Sequence, residues 1–249
     1  MRDITVRFGG LVANDAASLD APAGEVSAII GPNGAGKTTL FNVITGAQRP
    51  TSGRIVFDGE DITDLTPRQR AHLGMARTFQ NLALVPTLSV LENASIGLGR
   101  FRRTGVLGAL VRSPRTRCED ALVDQVAWGA LELTGLTDDA HLRADQLSYG
   151  DRRRVEFARA LAMQPSLLLL DEPSAGMAAE ETAEFVASLR RATEVLDLTV
   201  LVVEHDMTFV RAIATHTAVL DFGHIVAAGP TAEVLADQRV IDAYLGSQA

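Results

Sequence analysis

The segment Gly31-Pro-Asn-Gly-Ala-Gly-Lys-Thr38, with Thr39 following, spells the pattern G-x-x-x-x-G-K-[ST]. Val26–Ile30 ahead of it reads as a short buried strand, and Thr38-Thr-Leu-Phe-Asn-Val-Ile44 behind it as an apolar helical turn. Strand, glycine-rich loop and helix in that order predict an α/β chain with a mainly parallel central sheet and the loop at a strand's C-terminal end. The chemistry follows from the residue types. Glycines let backbone N–H groups turn onto phosphate oxygens, and the helix N-terminus adds a favourable dipole. The expected phosphate site is therefore Gly31, Pro32, Asn33, Gly34, Ala35, Gly36, Lys37, Thr38 and Thr39, with Lys37 on the terminal phosphates and Thr38 on a magnesium ion.

Composition sharpens this reading. Of the 23 basic residues only Lys37 is lysine, so the loop holds the one side-chain ammonium in a chain that otherwise uses arginine. The net charge of −8 disfavours nucleic acid as a partner. No apolar run approaches the eighteen or so residues needed to span a bilayer, and the first residues lack the continuous apolar stretch of a secretory signal. A single cysteine, Cys118, excludes an internal disulfide and fits a reducing cytoplasm.

A phosphate loop is shared by kinases, GTPases and motor-type ATPases, so other segments must choose among them. Leu167–Leu170 reads as a fully apolar strand that delivers two adjacent acids, Asp171 and Glu172, to a sheet edge. Asp171 is expected to hold magnesium directly or through water, and Glu172 to polarise an attacking water, which is the division of labour of a hydrolase. Thr199–Val203 is another buried strand, and His205 just beyond it is expected at the γ-phosphate, where its charge makes it pH-sensitive. Ser148 and Asp151, before the helical pattern Val155–Met163, form an S-x-x-D capping box.

The phosphate loop, Leu147-Ser-Tyr-Gly150, the Asp171-Glu172 strand and His205, in this order, resemble the ATP-binding subunit of ABC transporters. The resemblance covers nearly the whole chain. It implies a RecA-like P-loop NTPase core with a small antiparallel β portion and an α-helical subdomain at about 83–165, all within one domain, 1–249. It implies ATP and Mg2+ as cofactors, Phe8 as the aromatic stacked on adenine, and Gln80 as the glutamine linking magnesium to the membrane subunits. Two such subunits pair head to tail, so Ser148, Tyr149 and Gly150 of one would complete the site around the other's Lys37. Catalytic roles then fall to Glu172, His205, Gln80 and Lys37, and metal ligation to Thr38, Gln80 and Asp171. Ser174–Met177 matches the loop that crosses the dimer interface, where Ala178 replaces the usual acid or amide. Asp151 stands where Gln or Glu is commoner.

Finer features resemble the ATPases of branched-chain, hydrophobic amino-acid importers: Arg77-Thr-Phe-Gln-Asn81, Val90-Leu-Glu-Asn-Ala94, the Leu-Ser-Tyr-Gly form, Glu204-His-Asp-Met207 and Val240–Gly246. Implied partners are a second, identical or homologous ATPase subunit, two transmembrane permease subunits and, indirectly, a solute-binding protein. The implied place is the cytoplasmic face of the membrane. Urea or short-amide importers and lipopolysaccharide exporters stay open as alternatives, because their ATPases look alike. Chromosome-maintenance ATPases would carry a long coiled coil where residues 81 to 146 lie, two-headed translation factors would need a second head, and a kinase would not explain the signature segment.

Elsewhere, Ile4–Phe8 and Ile55–Phe57 read as antiparallel strands, the first strand beginning almost at Met1, Thr66-Pro67 opens a short helix ended by Gly74, and Ser89-x-x-Glu92 is a second capping box. Arg100, Arg102, Arg103, Arg112, Arg115 and Arg117 form a basic cluster without an acid before Glu119, which reads either as a solvated face or as contact with an anionic membrane or a partner subunit. On the contact reading, neutralising all six is expected to spare soluble ATPase activity and weaken assembly with the permease; normal co-purification would remove it.

Overall fold

The computed structural model describes residues 1–78, 83–98, 114–238 and 240, with 114–117 described as helix backbone only. Gln80, the Arg100–Arg112 part of the basic cluster with the side chains of Arg115 and Arg117, and the 241–246 part of the C-terminal motif lie outside the described residues. The chain divides into two compact units. The first comprises Met1–Arg77, Ser166–Ala175 and Leu196–Ala249, and the second Thr78–Pro165 with Gly176–Val195. The helical unit thus takes in 176–195 besides the 83–165 expected.

The first unit is built on a six-stranded sheet. Its strands are β3 (Val26–Ile30), β7 (Met75–Arg77), β8 (Leu167–Asp171), β9 (Thr199–Val203), β10 (His216–Asp221) and β11 (His224–Pro230). The spatial order is β11-β10-β3-β9-β8-β7, parallel throughout except for β11. Every residue of β3 and β8 is buried, which is why both are mainly apolar, with only Ser27 and the terminal Asp171 polar, and do not alternate. Registers Ile29↔Val203 and Asp171↔Val203 align the C-terminal ends of β3, β8 and β9, so the phosphate loop, Asp171 and His205 emerge at one edge.

Against this core stand β1 (Arg2–Phe8), β2 (Leu11–Ala17) and β4 (Ser52–Arg54), an antiparallel sheet in the order β2-β1-β4. The strand expected at 55–57 is found at 56–57, one residue shorter. Ile55 gives its N–H to Thr63 Oγ1 at 2.9 Å, so β4 ends at Arg54, and β5 (Val56–Phe57) pairs instead with β6 (Glu60–Asp61). Helices α1 (Lys37–Thr45) and α2 (Pro67–His72) follow β3 and β6. Thr66 and Gln69 close a complete capping box on α2.

Arg70 of α2 is almost fully buried, with 1% exposure. Its guanidinium donates to Val43 O and Ile44 O at 2.7 Å, to Thr63 O at 2.9 Å and to Leu65 O at 3.1 Å. Two of these are carbonyls of the last turn of α1, which has no basic residue of its own there.

The second unit is helical: α3 (Val90–Ile96), α4 (Pro114–Thr134), a 3-10 turn (Ala144–Gln146), α5 (Tyr149–Ala162) and α6 (Ala179–Leu196), whose last residue belongs to the first unit. Phe157 and Phe185 pack with ring centroids 5.3 Å apart, which fixes α5 to α6. Ser89 and Glu92 form the reciprocal capping box expected on α3. The box expected at Ser148 is only half made: Ser148 Oγ accepts the Asp151 N–H at 3.1 Å, while the Asp151 carboxylate meets the Ser148 hydroxyl and Arg154. Aspartate is one methylene too short to reach back to the N-cap amide, which Glu92 and Gln69 do reach.

Candidate functional site

Lys37 is the first residue of α1 and is buried. Its ammonium donates to Gly31 O at 2.7 Å and Pro32 O at 2.9 Å, which draws the loop around it. Burial lowers its pKa, while the charges of Glu172 and Glu204 push it back up. Among the described residues no carboxylate lies within ion-pair distance of it, so a desolvated cation sits at a helix N-terminus without an anion of its own.

The loop is braced from behind. Gly36 has φ +103°, and a Cβ there would come within 2.4 Å of Ala13 O. Asn14, fully buried, donates from Nδ2 to Gly36 O at 3.3 Å. The turn between β10 and β11 adds Gly223 N–H to Ala35 O at 2.9 Å. At Gly34, by contrast, a Cβ would meet nothing within 4 Å, so the loop is open on that side. A rigid loop with an open side and a buried ammonium fits a phosphate chain.

Asp171 ends β8 almost wholly buried. Arg77, at the end of β7, pairs with its Oδ2 at 2.7 Å, donates to Asn42 Oδ1 at 2.8 Å and lies over the Phe41 ring at 5.1 Å. The expected metal carboxylate is therefore held in place by an arginine whose role sequence reasoning missed. Glu172, next in the chain, has φ +46°, a conformation uncommon for a residue with a side chain. Its N–H is bonded to Val203 O at 2.9 Å. His205 follows β9 with a half-exposed side chain, and Asp206 caps α7 (Met207–Ile213). Phe8 is half-exposed at the end of β1, paired with Leu11 across a two-glycine hairpin turn. A chain with this loop, paired strand-end acids and a capped signature segment has the parts of a nucleotide-hydrolysing cassette.

A family model described as ABC transporter matches residues 15–175. The chain is an ABC ATPase. A second model, described as branched-chain amino acid ATP-binding cassette transporter, matches residues 224–249 of the same ABC ATPase. It is 39% identical over 98% of its length, and 95% of the relative's, to the high-affinity branched-chain amino acid transport ATP-binding protein BraF of Pseudomonas aeruginosa. Its fold is similar to an ATP-binding cassette of an ABC transporter solved in its ADP conformation, at TM-score 0.83 and 34% identity, covering 98% of this chain and 97% of that one. It is also similar to a dimeric cassette in a post-hydrolysis state bound to ADP and phosphate, at TM-score 0.74 and 26% identity, covering 92% and 97%.

In the second unit of this ABC ATPase, Ser148 caps α5 and Gly150 lies in its first turn. The Glu181 carboxylate is already seated there. It accepts the Gly150 N–H at 2.9 Å through Oε1 and the Ala178 N–H at 3.0 Å through Oε2. Those two amides, then the Ser148 hydroxyl and the charge of Arg154, hold the Glu181 pKa below the ordinary glutamate value. Glu181 thereby caps α6, where Ala178 offers no side-chain oxygen. The Tyr149 ring lies under Arg153 at 5.4 Å, and its hydroxyl accepts from Arg153 Nη2 at 2.9 Å. Glu181, and the pairing of Arg77, escaped the sequence reading because each acts through a partner distant in the chain or through backbone groups that leave no local pattern.

Proposed function

We propose that this ABC ATPase powers an importer of branched-chain, hydrophobic amino acids, through ATP-driven head-to-tail closure of two cassettes and their reopening on hydrolysis. The observation that carries the choice of solute is the match of residues 224–249, a region outside the shared catalytic core, to the branched-chain amino acid family model. The likeness to BraF along the whole chain agrees with it.

In this reading the amides of residues 31–39 and the Lys37 ammonium hold the phosphate chain, and the Phe8 ring stacks on adenine. Thr38, Asp171 and Gln80 hold Mg2+, which when bound would neutralise charge on the phosphate oxygens. One hydroxyl and one carboxylate suit a hard cation that keeps several waters, and Arg77 fixes the carboxylate. Glu172 orients and polarises the attacking water, and His205 contacts the γ-phosphate. Ser148, Tyr149 and Gly150 come from the second subunit. The ATPase pair sits at the cytoplasmic face of the membrane on two transmembrane permease subunits, and a solute-binding protein acts indirectly.

Replacing Lys37 with Ala should weaken ATP binding about 100-fold or more, since a buried phosphate loses its cation. Titration with a fluorescent ATP analogue checks this, and near-normal affinity would sink the phosphate-loop assignment. For the solute, the chain is to be reconstituted in proteoliposomes with a branched-chain amino-acid permease pair and binding protein from its own genome. ATP-dependent uptake of radiolabelled leucine is expected. Assembly that transports urea and not leucine would overturn the choice of solute.

A further inference from the structure

Four donors converge on the carboxylate of Glu204, at the end of β9. Ser174 gives its backbone N–H at 2.9 Å and its hydroxyl at 2.5 Å to Oε1. The N–H groups of His205, at 2.9 Å, and Asp206, at 3.2 Å, reach Oε2. The side chain is fully buried, and among the described residues no lysine or arginine lies within ion-pair distance of it. A buried carboxylate with no such cation is costly unless its oxygens are saturated with hydrogen bonds, and here they are.

What this carboxylate joins is informative. Ser174 lies two residues after Glu172, in the loop that leaves β8, and His205 and Asp206 open the loop that leaves β9. Glu172 is held with φ +46° between its own N–H bond to Val203 O, at 2.9 Å, and the Ala175 N–H bond to its carbonyl, at 3.2 Å. A turn of this kind persists only where its surroundings over-determine it. Glu204 supplies two of the bonds that do so. An apolar residue would pack at this strand end, but it would not tell either loop where to point its amides.

We propose that Glu204 is a positioning residue for ATP hydrolysis: its carboxylate ties the Glu172 loop to the His205 loop, so that the water-polarising acid and the phosphate-contacting imidazole keep one fixed geometry. The inference rests on the roles given to Glu172 and His205 above. Hydrolysis tolerates little misplacement of such groups, while phosphate binding by the Lys37 loop does not depend on them. The field of Glu204 reaches Lys37 as well, which places the tie beside the phosphate site.

Two variants of the full chain test this, each assayed for steady-state ATP hydrolysis with magnesium, for affinity toward a fluorescent ATP analogue and for thermal unfolding. In Glu204→Gln the amide keeps the shape but turns an NH2 toward one donor pair, releasing one loop. Ser174→Ala removes the hydroxyl arm alone. Expected are a kcat loss of about 10- to 100-fold in the first and a smaller loss in the second, with nucleotide affinity within about twofold of wild type in both. A kcat retained within twofold in both variants overturns the proposal, as does a parallel loss of affinity and rate that tracks the unfolding midpoint. Should Glu204→Gln fail to fold, Ser174→Ala decides alone: folded and fully active, it overturns the tie. A wild-type chain that bound no ATP would instead overturn the phosphate-site reading beneath it.

Discussion

Replacing Glu172 by Gln is expected to stop turnover while leaving ATP bound, so that a nucleotide-bridged dimer accumulates. The amide has the size of the carboxylate and preserves packing around the turn at φ +46°. It lacks the charge that draws a proton from water, a contribution of about 10²- to 10⁴-fold in rate. ATP drives closure only through its extra affinity for the closed pair, so blocking hydrolysis removes the route back to the open state. Size-exclusion chromatography with light scattering, with and without ATP and magnesium, reads the outcome directly. A shift from monomer to dimer on adding ATP supports the head-to-tail reading. Full turnover in this variant would refute the role of Glu172, and a monomer with ATP demonstrably bound would count against closure of two copies of this chain.

The second large effect concerns stability. Replacing Arg70 by Met keeps much of the buried volume and removes all four hydrogen bonds to Val43, Ile44, Thr63 and Leu65. Charge-assisted bonds contribute about 1.5–3 kcal/mol each and are not additive, and the buried carbonyls left behind carry their own desolvation cost. A loss of at least about 3 kcal/mol is expected, or roughly 6–12 °C in the unfolding midpoint for a chain of this size. Because the last turn of α1 loses its cap, nucleotide affinity should fall along with stability. A midpoint unchanged within about 2 °C would show that the four bonds contribute little net stability.

How much of this was legible beforehand depended on where the information lies. The phosphate loop was readable because its chemistry is local: the glycines, the lysine and the flanking apolar runs sit within twenty residues, and β3 and α1 fall where those runs predict. Strands β8 and β9 were readable because burial on both faces leaves unbroken apolar sequence. The pairing of Arg77 with Asp171 was not readable, since 94 positions separate them. Arg70 was hidden for a different reason. Its partners are backbone carbonyls, which every residue carries, so no side chain elsewhere announces the contact. Ile55 shows the same limit: the residue pattern starts a strand there, but a threonine eight positions away takes its N–H and the strand starts at Val56. At Ser148 the S-x-x-D pattern was right about the helix start and wrong about the reciprocal bond, because the pattern does not measure side-chain length.

The seat of Glu181 on Gly150 has a further meaning for a protein that works in a cell full of anions. The N–H groups at the start of α5 are not offered bare to whatever passes. A tethered carboxylate occupies that of Gly150 at a high local concentration, so a newcomer there must outcompete it. Orthophosphate or a free acid brings one modest charge and diffuses away. On the proposed role of Ser148, Tyr149 and Gly150, a triphosphate presented by an opposing chain would bring more charge and a fixed position, and so would gain more from the exchange. In the proposed head-to-tail pair this arrangement would set a threshold, engaging for a ligand carried by the opposing cassette and staying closed to the background.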